Sequence, residues 1–202
     1  MANAAADLNR SKRREVEHST NRAAILEAAR RVASRDGAAH LSLRGVAAEA
    51  GYAPAALYGY FANKSELLLA LAAEDLSGLA RKMRDTAGGS DRLGAAIAAA
   101  MELLQQSETL AAVPSAFATG EQPGEGERQF NGRMIAALMA LSDSIGGSND
   151  REAQADTLLL AASLSGVALF ARSGRLAALG FTCEEVMRQL ERRFRPMPPP
   201  AS

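Results

Sequence analysis

The chain has 202 residues, 48% of them hydrophobic, with 23 Lys and Arg balanced by 23 Asp and Glu; that is enough apolar side chain for one core or two small ones and too much for a disordered chain. A single cysteine, Cys183, excludes an internal disulfide and a cysteine-built metal site, and it reads as a small helix-start residue. The longest unbroken apolar runs, such as "LLLALAA", fall far short of the roughly 20 residues that cross a bilayer, and no apolar signal region follows the charged N-terminus, so a cytoplasmic address without a membrane partner is expected.

Ala, Leu, Glu and Arg dominate, apolar residues recur at helical spacing and strand-forming runs are absent, which predicts an all-α chain. Residues 1–18 read as a flexible basic arm, and "RPMPPPAS" makes 196–202 a disordered tail. Thr20 is expected to cap a first helix that buries Ile25, Ala28, Ala29 and Val32 and stops at Gly37. A second helix of about two turns starts at the cap Ser42, carries Leu43, Val46, Ala47 and Ala50 on one face, and closes at Gly51. Pro54 suits the first turn of a short third helix running to Phe61, and Ser65 with Glu66 is expected to open a long fourth helix reaching about Thr86. Further helices are predicted at about 91–106, 109–119, 127–145, 151–173, 175–179 and 183–194, with "GEQPGEGE" as the main loop. Residues 19–64 would then be one domain and 65–195 a larger helical one, linked by the helix 65–86.

Two short helices joined by a tight glycine turn and supported by a longer one make a helix-turn-helix, whose second member would read DNA. All three tyrosines of the chain, Tyr52, Tyr58 and Tyr60, lie in or beside it. At about 100° per residue, Leu57 and Phe61 point together into the core, Tyr58 and Tyr60 flank that seam, and Ala55, Ala56 and Gly59 face outward. Glycine inside a helix costs around 1 kcal/mol relative to alanine, so an outward Gly59 suggests close approach to a partner surface. The phenols either donate to phosphates on the groove walls or cover the core with their rings. Charge agrees with an anionic partner: from Arg10 to Lys64 the basic residues Arg10, Lys12, Arg13, Arg14, Arg22, Arg30, Arg31, Arg35, Arg44 and Lys64 face the acidic Glu15, Glu17, Glu27, Asp36 and Glu49.

The stretch from Ala24 to Leu71 resembles the DNA-binding region of TetR-type transcriptional regulators, matching in unbroken register at Ala47, Ala50, Gly51, Leu57, Tyr58, Tyr60, Phe61, Lys64 and Leu67. The resemblance implies that Tyr58, Tyr60 and Lys64 contact phosphates, that Arg44 reaches a base edge, and that Tyr52, Ala53, Pro54, Ala55, Ala56 and Gly59 complete the surface. Ala53 departs from the family's usual Ser or Thr, and Tyr52 from a small aliphatic residue. The arm around "RSKRR" is expected either to enter a neighbouring minor groove or to remain solvated.

The resemblance further implies a homodimer and a small-molecule effector among the middle helices. A seam of Leu158, Ala162, Ser165, Gly166 and Leu169, with Val186, Leu190 and Phe194 on the last helix, suits tight packing against a second copy or, equally, against the same chain. "LSGVALFARSGRLAALGF" is similar to a C-terminal region of some family members, but Ser165 stands at their His position and no Trp is present, so that ligand contact does not transfer. Met101, Leu104, Phe117, Phe130, Met134 and Leu138 are the effector candidates, and their character favours an apolar ligand over a metal or cofactor. An enzyme is not expected, because His18 and His40 have no nucleophile or metal partner at useful spacing. The expected function is a repressor that binds a palindromic DNA operator as a dimer and is released by its effector. The alternative is a helical protein- or ligand-interaction module without sequence-specific DNA binding.

Overall fold

A computed structural model describes residues 2–86, 88–89, 91–113, 124–148 and 150–195, with side chains from Asn9 onward. Among these residues every regular element is helical. The chain divides into two compact units, Met1–Leu71 with Ala112–Glu127, and Ala72–Ala111 with Arg128–Ser202; helix α4 contributes residues to both. The expected tail, 196–202, lies outside the described residues.

In the first unit, α1 spans Ala2–Asp36, so the segment expected as an arm is helical and Thr20 is not a cap. The reason is local: nothing between Ala2 and Thr20 is Gly or Pro, and Ala, Leu, Lys, Arg and Glu sustain a helix. Arg13 pairs with Glu17 one turn on at 3.1 Å, and the Thr20 hydroxyl donates back to the Val16 carbonyl at 2.8 Å. Gly37, at φ 82°, ends the helix where a side chain would be strained. A 3-10 turn, Ala38–His40, leads to α2, Leu43–Ala50.

As expected, the Ser42 hydroxyl accepts the Gly45 N–H at the start of α2, at 3.1 Å. At its end Gly51 sits at φ 74°, donating to the Ala48 carbonyl, while the Tyr52 N–H donates to the Ala47 carbonyl at 2.9 Å. Those two bonds are the Schellman arrangement, in which the residue after the glycine packs back on the helix. Tyr52 does so, lying half-buried against the core.

Helix α3, Pro54–Leu57, is shorter than expected. Beyond Leu57 the bonds tighten, with Gly59 N–H donating to Ala56 and Tyr60 N–H to Leu57, so that Gly59 lies in a turn rather than inside a helix. Helix α4, Lys64–Asp85, is capped by Asn63 and not opened at Ser65. The Asn63 Oδ1 accepts the Glu66 N–H at 2.9 Å, and Glu66 Oε2 reaches back to the Ala62 N–H at 2.6 Å, a reciprocal pair of the capping-box kind. Ile25, Leu26, Ala29, Leu41, Val46, Leu57, Phe61, Leu67 and Leu71 are essentially buried and form this unit's core.

The second unit contains α5, Arg92–Gln106; α6, Glu108–Ala112, except its last residue; α7, Glu125–Ser144, except its first three residues; α8, Arg151–Arg172; α9, Arg175–Ala178; and α10, Cys183–Phe194. Asp91, Asp150 and Thr182 cap α5, α8 and α10 with their side-chain oxygens. The core is built from Ile97, Ala100 and Met101 of α5, Ala137 and Leu141 of α7, Leu160, Leu164 and Ala168 of α8, and Leu190 of α10. Residues 120–123 of the main expected loop lie outside the described residues, and its last three residues enter α7.

Helix α8 corrects the expectation about apolar length: over an 18-residue window its mean hydropathy is 1.4, enough by length and composition to cross a membrane, with 22% of that window buried. Ser163, Ser165 and Gly166 interrupt its apolar residues, so no unbroken run reveals this. Thr157, Leu160, Leu164 and Ala168 face the core, whereas Leu158, Leu159, Leu169 and Phe170 are exposed.

Candidate nucleic-acid interface

Burial of Leu57 and Phe61 decides the orientation of the segment between α2 and α4. With those two side chains anchored, Ala53, Pro54, Ala55, Ala56 and Gly59 are exposed, and Tyr58 retains 63% of its surface. The result is a shallow face of methyl groups and one glycine beside an exposed phenol, a shape that can approach a groove floor closely. Arg44 is exposed in the first turn of α2.

Tyr60 and Lys64 are held more firmly than the sequence suggests. The Tyr60 ring stacks on His18 of α1 with centroids 4.6 Å apart and planes 22° from parallel, and its hydroxyl accepts from Asn21 Nδ2 at 3.2 Å. That acceptance leaves the phenol hydrogen to be donated elsewhere, as a phosphate contact requires. Lys64 Nζ donates to the Ala39 carbonyl at 2.5 Å, using one of its three hydrogens. Arg22 lies over the Phe61 ring, 5.0 Å from its centroid. His18, Asn21 and Arg22 are thus supports that the motif could not reveal, since they lie about 40 residues earlier in the chain.

Glu49 on α2 bridges back to α1, with Arg31 Nε at 2.9 Å and Arg35 Nη1 at 3.1 Å. The hydrogen bonds from Arg31 and then Arg35 hold its carboxyl below the usual carboxylate range. The Arg35 guanidinium is raised in turn, chiefly by Asp36 and then by Glu49. These bridges fix α2 on α1 and neutralise the one acidic residue of α2.

In the second unit the effector candidates do not converge on one kind of site. Met101 is 2% exposed and part of the core, Phe130 is buried, Leu104 and Leu138 are half-buried, and Met134 is 38% exposed; Phe117 lies outside the described residues. A surface groove of about 750 Å³ instead runs beside α10, lined by Phe181, Glu185, Val186, Arg188, Gln189, Glu191 and Arg192. Of the seam residues, Leu158 and Leu169 are 57% and 62% exposed, Ala162 and Ser165 are exposed, and Gly166 is half-buried with open space where a Cβ would stand. Val186 and Phe194 are half-buried and Leu190 is in the core. Among the described residues no three His, Cys, Asp or Glu side chains gather as a metal site would need.

Residues 25–71 match the model for bacterial regulatory proteins of the tetR family. The HTH-type nicotine-responsive transcriptional repressor HdnoR of Paenarthrobacter nicotinovorans is 40% identical over 79 residues, which are 39% of this chain and 41% of the relative. A TetR transcriptional regulator from Rhodococcus sp. RHA1 superposes with a TM-score of 0.68 at 20% identity, over 88% of this chain and 97% of that one. FadR from Bacillus subtilis, solved in complex with stearoyl-CoA, does so with a TM-score of 0.60 at 16% identity, over 85% and 96%. The match to the tetR-family model lies on the helix-turn-helix residues whose geometry is described above, and the likeness of fold to the solved regulators extends over most of the chain.

Proposed function

We propose that the chain is a ligand-responsive transcriptional repressor that binds a palindromic operator as a homodimer and is released by a small apolar effector. The observation that carries the DNA reading is the exposed, nearly side-chain-free surface of Ala53, Ala55, Ala56 and Gly59 beside Tyr58, held outward by buried Leu57 and Phe61. Tyr58, Tyr60 and Lys64 donate to phosphates, Arg44 reads a base edge, and Tyr52 and Pro54 support the turn between them. The exposed Leu158, Ala162, Leu169 and Phe170 of α8 are covered by the same helix of a second copy, since apolar surface of that extent is costly in water. A DNA partner implies a cytoplasmic address, and association between copies accounts for the apolarity of α8 without a membrane.

The effector reading rests on the apolar Met101, Leu104, Phe130, Met134 and Leu138, with Phe117, and is supported by the neighbour solved with stearoyl-CoA, whose acyl chain is apolar. Since α4 contributes to both units, a ligand that changes α4 in one alters the recognition segment in the other, and two half-sites tolerate little change in spacing.

Ala55→Glu tests the DNA reading. The position is exposed in the first turn of α3, where a carboxylate is compatible with the helix, so the protein should keep its melting temperature. On a DNA-facing surface the same charge repels phosphates, and binding to duplex DNA should fall by at least tenfold. Unchanged DNA affinity would remove this face from the interface and favour an interaction module instead.

A further inference from the structure

Tyr60 ties the recognition segment to α1 through His18 and Asn21, and α1 continues from that point for four more turns toward its start at Ala2. At about 100° per residue, Arg14 lies about 40° and Arg10 about 80° from His18, on the same side as Asn21, so the three basic or ring N–H side chains form one inclined row. Four residues advance about 6 Å, which places Arg14 about 6 Å and Arg10 about 12 Å beyond His18 along the axis. Each step is on the scale of one to two base pairs at about 3.4 Å per phosphate on a strand. Two carboxylates near the row are engaged within α1: Glu17 accepts from Arg13 at 3.1 Å and Glu15 from Ser11 at 3.4 Å. Side chains from Asn9 to Thr20 are exposed throughout.

We infer that the DNA interface extends beyond the helix-turn-helix along α1, from Tyr60 through His18 and Arg14 to Arg10, as a row of contacts to backbone phosphates flanking each half-site. This rests on the DNA reading proposed above. Helicity rules out the expected minor-groove arm, because an α-helix about 10–12 Å across with its side chains does not enter a minor groove about 6 Å wide. The row therefore tracks phosphates and carries no base preference. Lys12 lies about 160° around the helix from Arg14, so the two are equal in charge and nearly equal in sequence position but point to opposite sides.

The experiment compares Arg14→Gln, Lys12→Gln and the double variant Arg10→Gln with Arg14→Gln in the full chain. The probe is a mixed-sequence duplex about three helical turns long, titrated by fluorescence anisotropy at salt concentrations from about 50 to 200 mM. Each lost phosphate contact lowers the slope of log affinity on log salt by about 0.9. Arg14→Gln should lower it by that amount and the double variant by about twice as much, so that the affinity lost over the fourfold salt range shrinks by about 3.5-fold and about 12-fold. Lys12→Gln should leave the slope within a few tenths of the parent. Equal slope changes for Arg14→Gln and Lys12→Gln, or none for either, would overturn the row while leaving the helix-turn-helix reading intact. Failure of the parent protein to bind any duplex would overturn that reading, and the row with it.

Discussion

Leu169→Ala on α8 puts the dimer reading at risk through a single exposed side chain. Leu169 keeps 62% of its surface, and fully burying a leucine is worth about 1.5–3 kcal/mol, so covering the remainder contributes about 1–2 kcal/mol. A two-fold interface uses each residue twice, which makes the loss about 2–4 kcal/mol per dimer. At 1.4 kcal/mol per tenfold, the dimer should dissociate about 30- to 1000-fold more readily. The fold should not suffer, because in one chain Leu169 lies outside the buried face of Thr157, Leu160, Leu164 and Ala168. A dilution series by sedimentation velocity measures the dissociation constant, and circular dichroism checks that the helices melt as in the parent. Gly166→Glu, with open space at its Cβ position in one chain, should act more strongly by bringing an unpaired charge into the seam. A dimer of undiminished strength in both variants would place the interface elsewhere and leave the exposed leucines of α8 unexplained.

Other consequences concern the first unit and its coupling to the second. Ser42→Ala removes a cap and should cost about 1 kcal/mol in urea unfolding, whereas Thr20→Ala, in mid-helix with its hydroxyl on Val16, should be neutral or slightly stabilising; equal losses would contradict the course of α1. Glu49 is depressed in the folded protein by Arg31 and Arg35, so its bridges stabilise above the ordinary carboxylate range and the contribution disappears as pH falls through the depressed value. Glu49→Gln should therefore melt below the parent at neutral pH, with the gap closing under acid conditions; a gap independent of pH would show that charge is not its cause. Arg44→Ala should relax preference at one symmetric pair of operator positions by about 1–3 kcal/mol, while Lys64→Ala should weaken binding to all sequences and flatten the salt dependence. Identical profiles would refute the division of roles. An apolar effector that weakens operator binding tenfold must itself bind the operator complex tenfold less tightly, and calorimetric titrations with and without operator would expose any inequality.

Much of the architecture was legible because it rests on short-range chemistry. Ser42, Gly37, Gly51 and Pro54 each act within one helical turn, and the buried side chains of α2 and α5 follow the 3.6-residue period. The structure departs from the local signals where two of them compete. Thr20 carries the chemistry of a cap, but the uninterrupted helix formers before it make it an interior residue. Ser65 looked like a helix start, yet Asn63 and Glu66 form the reciprocal bonds. Gly59 continues the helical spacing of α3, but the helix unwinds two residues before it. The contact of α1 with Tyr60 was illegible for a different reason: His18 and Asn21 carry no periodic or motif signal, and only the packing of Ile25, Leu26 and Ala29 against Leu57 and Phe61 in one core brings them to the phenol. The effector candidates, chosen by residue type, scatter from the core to the surface because apolarity alone does not distinguish a wall from a filling.

The central claim, that the exposed face between Ala53 and Tyr60 reads DNA in a two-fold assembly, is tested most directly by selecting duplexes from a random pool with the purified full chain. The account predicts enrichment of a palindrome whose half-site centres lie about 34–36 Å apart, lost when the same selection is run with Ala55→Glu. A pool that stays unenriched for the parent, or a palindrome that Ala55→Glu selects equally well, would contradict it.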